Sequence, residues 1–379
     1  MNQPPLQTAA ELPQRVTAAV AAMPAAGIDA LVLTPGTALR YLAGYDAMIS
    51  ERLTALVLPA AGEPFLLVPE LERTGALDSP AVRDGLSLLT WAETEDPARL
   101  VADQLRARTR DEPRVLGVDD TMQARHLLAL AAALPNARPV VAGQVLDRLR
   151  LVKDPFELDQ LRTAGAAIDR VHSRMGEWLR PGRTEREVGA DLAAAITGEH
   201  AEVDFVIVGS GPNGASPHHG VSDRVIEAGD PVVVDIGGIL DSGYRSDCTR
   251  TYVLGEPDPA FLALYEVLQS AQQGGVAAAR AGVSAGSVDD ATRAPIEAAG
   301  YGEAFPHRTG HGIGLDGHEP PWILHGNDTL LEVGMAFSVE PGIYLAGRFG
   351  ARIEDIVLVT EDGTEAVNTT THDLVRLNT

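Results

Sequence analysis

The stretch Val232-Val233-Val234-Asp235-Ile236-Gly237-Gly238, VVVDIGG, sets a charge inside an apolar run. Consecutive valines predict a strand entering a dry core, because β-branched side chains pack well on a pleated surface. A carboxylate follows directly, and the apolar pattern then resumes at Ile236. An unpaired charge there would be costly, so a strand at this point requires something that neutralises Asp235.

The surrounding segment PVVVDIGGILDSGYRSDCTRTYVL has two strand-like pieces flanking the turn-rich Asp241-Ser242-Gly243, which predicts a hairpin. Asp235 lies on the first piece and Asp247 on the second, symmetric about Asp241, so a simple hairpin sets them near one another across the ladder. Like charges facing each other destabilise a sheet, and a bound cation removes the repulsion. Alternation puts Asp247, Thr249 and Thr251 on one face and turns Cys248 to the other, so Cys248 reads as a small buried residue rather than a ligand.

Further along, FPHRTGHGIGLDGHEPP carries His307, His311 and His318. Gly310, Gly312 and Gly314 argue against a helix and for a strand or tight loop that lets backbone and histidine approach a ligand. MAFSVEPGIY, read as a strand, then places Glu340 after an apolar run, and ARIEDIVLV places Glu354 at the start of another strand, with Asp355 facing the opposite way. Asp235, Asp247, His311, Glu340 and Glu354 together offer four carboxylates and one imidazole. That set suits two divalent cations, whose charge it balances, and leaves Mn²⁺, Co²⁺, Zn²⁺ or Fe²⁺ open.

Composition narrows the function classes. A formal charge of −23 over 379 residues repels nucleic-acid phosphate and anionic membranes, so neither is an expected partner. The single cysteine excludes an internal disulfide framework and a cysteine-rich zinc site. The start, MNQPPLQTAAELPQR, shows no basic region followed by an apolar segment, and the expected location is cytoplasmic.

Two domains are expected, 1–150 and 151–379. The first alternates helix-like and strand-like pieces: ELPQRVTAAVAAMPAAG, IDALVLT, RLTALVLP, PFLLVP, DPARLVADQLRAR, RVLGV and TMQARHLLALAAAL. That order predicts a small α/β domain. The segment VLDRLRLVKDPFELDQLRTAG leads into a long amphipathic helix and a different rhythm. At an offset of 100, RPGRTEREVGADLAAAI (180–196) lines up with RAGVSAGSVDDATRAPI (280–296), each with a glycine turn, a Thr or Ser at a helix start and strands beyond. Thr184 with Glu187 has the form of a capping box. The pattern predicts two related halves that share a central site.

These motifs, with LRLVKDPFELDQLR, SGPNGASPHHG, DIGG, GYRSDCTRT, SVEPGIY and RIED in order, resemble the metallopeptidase family that holds Xaa-Pro aminopeptidases, prolidases and methionine aminopeptidases. The resemblance implies an α+β fold: a pita-bread C-terminal catalytic domain with an internal pseudo-two-fold repeat, preceded by a smaller α/β creatinase-like domain. It implies that Asp235 holds one metal ion, that His311 and Glu340 hold the other, and that Asp247 and Glu354 bridge both. Glu340 is also implied as general base, His318 as the contact to the scissile carbonyl, and His218 as a substrate-positioning residue. His307 is placed in the same pocket, while His219 reads as structural. The Asp235-to-Asp247 spacing is one residue longer than the family pattern, a difference for a bulge or longer turn to absorb.

The implied activity is hydrolysis of the peptide bond between a first residue and proline, with Xaa-Pro dipeptidase preferred over Xaa-Pro aminopeptidase. A creatinase-like amidinohydrolase and a metal-free binding module are further alternatives. The implied cofactors are two divalent ions, Mn, Co or Zn. The implied partners are a small peptide with proline second and a second copy of the chain in a homodimer. An arginine would recognise a dipeptide's terminal carboxylate, and Arg352 and Arg348 are the candidates. Some prolidases carry an arginine shortly after the histidine of their HExP motif, where HEPPW here has Trp322.

Overall fold

The structure is a computed structural model and describes residues 12–378. Glu11, at the start of the first expected helix, and the preceding MNQPPLQTAA lie outside the described residues. The chain divides between Arg150 and Leu151 into two compact units.

In the first unit, Ala30–Leu33, Ala55–Pro59, Phe65–Pro69 and Val115–Val118 form strands where the apolar runs predict them. Ser87–Trp91 and Arg138–Val141, two strands that the sequence pattern did not single out, complete a mixed six-stranded sheet at its two edges. Helix Pro97–Arg108 starts where it does because Asp96 accepts from the amides of Ala98 and Arg99 and proline occupies the first turn. Its apolar face, Val101 and Leu105, packs on Val57, Phe65 and Leu116.

The second unit repeats its local structure at the expected offset. Helices Glu185–Glu199 and Ala285–Ala298 are capped by Thr184 and Ser284, whose side chains accept from the amides of Glu187 and Ser287. Gly182 and Gly282 turn the chain at φ of 89° and 85°, and their amides donate to Ile226 and Leu331. Val188, Ile196, Val288 and Ile296 are all fully buried. Each half also begins with a long helix, Pro155–His172 or Pro259–Ala278.

Each half carries its own sheet. In the first, Pro231–Ile239 lies between Glu202–Ser210 and Cys248–Leu254, with Val375–Leu377 beyond. Val232, Val234 and Ile236 face the helical layer, in one core with Val188, Leu192 and Ile196. By strand alternation Asp235 faces the opposite side. This resolves the apparent fault in VVVDIGG: the carboxylate shares the strand but not the face of the apolar layer. In the second half, Glu319–Ile323, Gly310–Gly312, Ala336–Val339, Asp355–Thr360 and Gly363–Ala366 form a five-stranded sheet.

Two details differ from expectation. SVEPGIY is not one strand: the chain breaks at Glu340 and Pro341 between Ala336–Val339 and Gly342–Leu345, since proline supplies no ladder N–H. The hairpin register centres on Ser242 rather than Asp241. Asp235 stands opposite Thr249, and Asp247 is its diagonal neighbour on the same face. The ladder continues to the Ile239–Arg245 bridge, and Leu240 N–H to Tyr244 O closes the turn.

The glycines of HRTGHGIG have the expected use. A Cβ on Gly310 would stand 1.8 Å from the carbonyl oxygen of Ser338, so only glycine lets this strand approach its neighbour. Gly310→Ala is expected to cost on the order of 1–3 kcal/mol and to lower the thermal midpoint by several degrees. Gly198→Ala, in a helix where the new Cβ meets nothing within 4 Å, should be neutral or stabilising. Melting curves of the two variants side by side check this.

Candidate active site

A pocket of about 640 Å³ opens where the two sheets of the second unit meet. The sheets touch through Glu354, whose amide donates to Thr249 O and whose carboxylate accepts from Thr249 Oγ1 at 2.8 Å. Asp235, Asp247, His311, Glu340 and Glu354 all line the pocket, as do His218, His307, His318 and Arg352. Arg348 does not line it; its guanidinium stacks on Phe349.

Ligand atoms of Asp247, His311 and Glu354 lie within 4.8 Å of one another. His311 Nδ1 faces Gly312 O at 3.1 Å, and a carbonyl can only accept, so that nitrogen carries the proton. Nε2 points at Glu340 at 3.1 Å and Asp247 at 3.8 Å, so it donates to the carboxylate when it carries a proton and offers a metal its lone pair when it does not.

The carboxylates are poorly compensated as they stand. Asp235 receives Arg352 at 2.5 Å, yet its Oδ1 and the Oε1 of Glu354 are buried with no hydrogen-bond partner. Burial, then repulsion from Glu354, Asp235 and Glu340, raises Asp247 well above the usual carboxylate range. Burial and repulsion from Glu340 and Asp235 do the same to Glu354. Burial also raises Asp235, against the pull of Arg352. Glu340 is different: burial resists its ionisation, but the hydrogen bond and charge of His311 outweigh that and hold it down to about 2. Buried acceptors without donors, beside an imidazole whose Nε2 points into the same cluster, fit divalent cations.

Tyr344 and Glu185 had no motif to announce them, and they tie Arg352, His307 and the His218 loop into the site. Arg352 also donates to Thr249 Oγ1, to Tyr344 Oη at 2.8 Å and to Pro217 O. His307 Nδ1 donates to Arg308 O, so its Nε2 accepts the Tyr344 hydroxyl proton at 3.0 Å. A continuous relay Asp235–Arg352–Tyr344–His307 results. Glu185, fully buried at the start of its helix, accepts from Ser210, Asn213, Ser222 and His219 and so ties down the loop that presents His218. That contact gives His219 the structural place expected of it. Cys248 faces away from the pocket in the helical core, and burial pushes its thiol up.

His318 stacks on His311 with ring centroids 3.7 Å apart, and its Nδ1 lies 3.2 Å from an Arg308 nitrogen. Arginine only donates, so the His318 ring proton sits on Nε2. Burial and then the neighbouring His311 hold its pKa down to about 4. A neutral imidazole with an N–H directed away from Arg308 can donate to a developing oxyanion.

Residues 159–361 match the family model described as metallopeptidase family M24, and residues 15–152 match that of the creatinase/prolidase N-terminal domain. The chain is 54% identical over 363 residues to a probable dipeptidase PepE of Mycobacterium tuberculosis (strain ATCC 25618 / H37Rv), covering 96% of each chain. It is 37% identical over 338 residues to an Xaa-Pro dipeptidase of Lactobacillus helveticus, covering 88% of this chain and 91% of that one. The crystal structure of dipeptidase PepE from Mycobacterium ulcerans superimposes with a TM-score of 0.93 at 51% identity, covering 98% of this chain and 100% of that one. The chain belongs to metallopeptidase family M24, with the family's creatinase-like first domain and α+β second domain.

The raised carboxylates carry a pH signature. In the metal-free protein Asp247 and Glu354 keep their protons to higher pH than in the unfolded chain. Their share of stability is therefore complete below the ordinary values of 3.8 and 4.5 and is lost as pH rises through the raised ones. Divalent ions bound at these carboxylates would replace those protons, so the increase in melting temperature produced by Mn²⁺ should grow from about pH 5 to about pH 8. Thermal melts with Mn²⁺ or with chelator across that range check this, and a gain that does not change with pH would contradict it.

Proposed function

We propose that this M24 metallopeptidase hydrolyses the peptide bond between an N-terminal residue and proline, acting as an Xaa-Pro dipeptidase. The observation that carries this reading is the set of three buried carboxylates, the partly buried Glu340 and His311 facing one pocket with His318 and His218. The printed name of the Lactobacillus helveticus relative supports the substrate class. No membrane-crossing helix occurs among the described residues. We further place the enzyme in the cytoplasm and expect a homodimer, as the family resemblance implies; sedimentation of the purified protein tests the second point.

Asp235 would hold one divalent ion and His311 and Glu340 the other, with Asp247 and Glu354 shared; Mn²⁺, Co²⁺ and Zn²⁺ all suit these donors. Bound there, the ions supply Lewis acidity toward the carbonyl and make water more acidic. The chain's own groups do the rest. Glu340 takes a proton from the attacking water as general base, and then delivers it to the proline nitrogen as the C–N bond breaks. His318 donates its Nε2–H to the carbonyl oxygen as negative charge grows. His218 positions the substrate from the pocket wall. The relay through Arg352 and Tyr344 fixes the orientation of Asp235 and His307. Proline offers no N–H, so recognition falls to shape, and the apolar Phe205, Ile207 and Pro217 can receive its ring.

The assay is purified protein with Mn²⁺, Co²⁺ or Zn²⁺ on Ala-Pro, Ala-Pro-Ala and creatine. Cleavage of Ala-Pro is expected. Efficient cleavage of Ala-Pro-Ala would favour an aminopeptidase, turnover of creatine an amidinohydrolase, and neither metal binding nor hydrolysis a binding module. Asp247→Ala should lose both metal content and activity; an active variant would refute its shared-ligand role. His318→Ala should keep its metal and lose kcat by about 10²–10³-fold, read from steady-state rates and elemental analysis together.

A further inference from the structure

Three guanidinium groups line the pocket: Arg245, Arg308 and Arg352. Two have acidic partners. Arg352 pairs with Asp235, and Arg245 pairs with Asp204 while its Nε donates to Leu315 O at 3.0 Å. Arg308 makes no ion pair among the described residues. Its guanidinium lies over the Trp322 ring, 4.3 Å from the centroid, and touches His318 Nδ1 at 3.2 Å. Trp322 stands directly across the ladder from His311, so this aromatic shelf is fixed to the strand that carries a proposed metal ligand.

A planar cation lying on an indole ring gains from the ring's electron-rich face and keeps its in-plane N–H groups available at the edge. Their best partner is a carboxylate, bound through two parallel hydrogen bonds. Position decides which carboxylate. With the scissile carbonyl at His318, the next carbonyl carbon along the substrate lies one residue further, at most about 3.6 Å away. That distance is within reach of a guanidinium in contact with the same imidazole. In a dipeptide this group is the terminal carboxylate. In a longer peptide it is a neutral amide, which leaves the charge on Arg308 unanswered.

Resting on the Xaa-Pro reading above, we propose that Arg308, held flat by Trp322, binds the C-terminal carboxylate of a dipeptide substrate and thereby sets the preference for dipeptides over longer peptides. Arg308 also holds the tautomer of His318, so a test must separate the two roles. Steady-state kinetics of the Mn²⁺-loaded wild type, Arg308→Met, Arg308→Lys and Trp322→Leu on Ala-Pro, Ala-Pro amide and Ala-Pro-Ala do so, with metal content measured for each protein.

For the wild type, kcat/KM for Ala-Pro should exceed that for the amide by about 10–100-fold, the worth of a hydrogen bond to a charged group. In Arg308→Met that ratio should collapse toward unity, chiefly through KM for Ala-Pro. Arg308→Lys should keep part of it, and Trp322→Leu should reduce it. A variant that loses kcat equally on all three substrates with its ratio intact would overturn the proposal and leave Arg308 only a positioning residue for His318. Equal use of Ala-Pro and its amide by the wild type would also overturn it. Both failures leave the Xaa-Pro reading standing, whereas a wild type that cleaves none of the three overturns that reading and this proposal with it.

Discussion

Four carboxylates gathered in one pocket, three of them buried, repel one another, and the second unit is organised around that repulsion. In a medium that screens charge poorly, Asp235, Asp247, Glu340 and Glu354 cannot all ionise at short range without nearby positive charge. Arg352 answers Asp235, Thr249 donates to Glu354, and His311 meets Glu340. These partners leave buried oxygens on Asp235 and Glu354 unsatisfied. A fold that held such a cluster for stability alone would gain by replacing it with apolar residues. Its presence points to cations and to chemistry.

The repeat explains how the cluster is assembled. Each half contributes a capped helix pair and a sheet, and the acids sit where the two sheets come together. Asp235 and Asp247 come from one half, and His311, Glu340 and Glu354 from the other. Glu340 and Glu354 flank paired strand ends, with Val339 opposite Asp355. One residue further on, Asp355 turns away to Arg250, Gln272 and His372. The alternation of the strand thus separates a functional carboxylate from a structural one.

Much of this was legible in the sequence because it rests on patterns with physical meaning. The repeat was visible through Thr184, Ser284, Gly182 and Gly282, which cap helices and turn the chain. The acids and histidines of the pocket stood out as charges in apolar or glycine-rich runs. The hairpin register was not legible, since apolar residues on either side of Asp241 allow two pairings and only the turn from Leu240 to Tyr244 chooses between them. Nor were Tyr344, Glu185 and Arg308, single residues whose partners lie up to 37 positions away along the chain. Arg352 could be placed on the face of Glu354 by alternation, but not its commitment to Asp235. That commitment is what leaves Arg308 as the pocket cation without an acid.

The account depends most directly on the claim that two divalent cations complete this site. Anomalous diffraction from crystals grown with Mn²⁺, together with elemental analysis of the same protein, tests it. The account predicts two ions per chain, both ligated from among Asp235, Asp247, His311, Glu340 and Glu354. A protein that takes up no Mn²⁺ at these residues, or binds it only elsewhere, would contradict it.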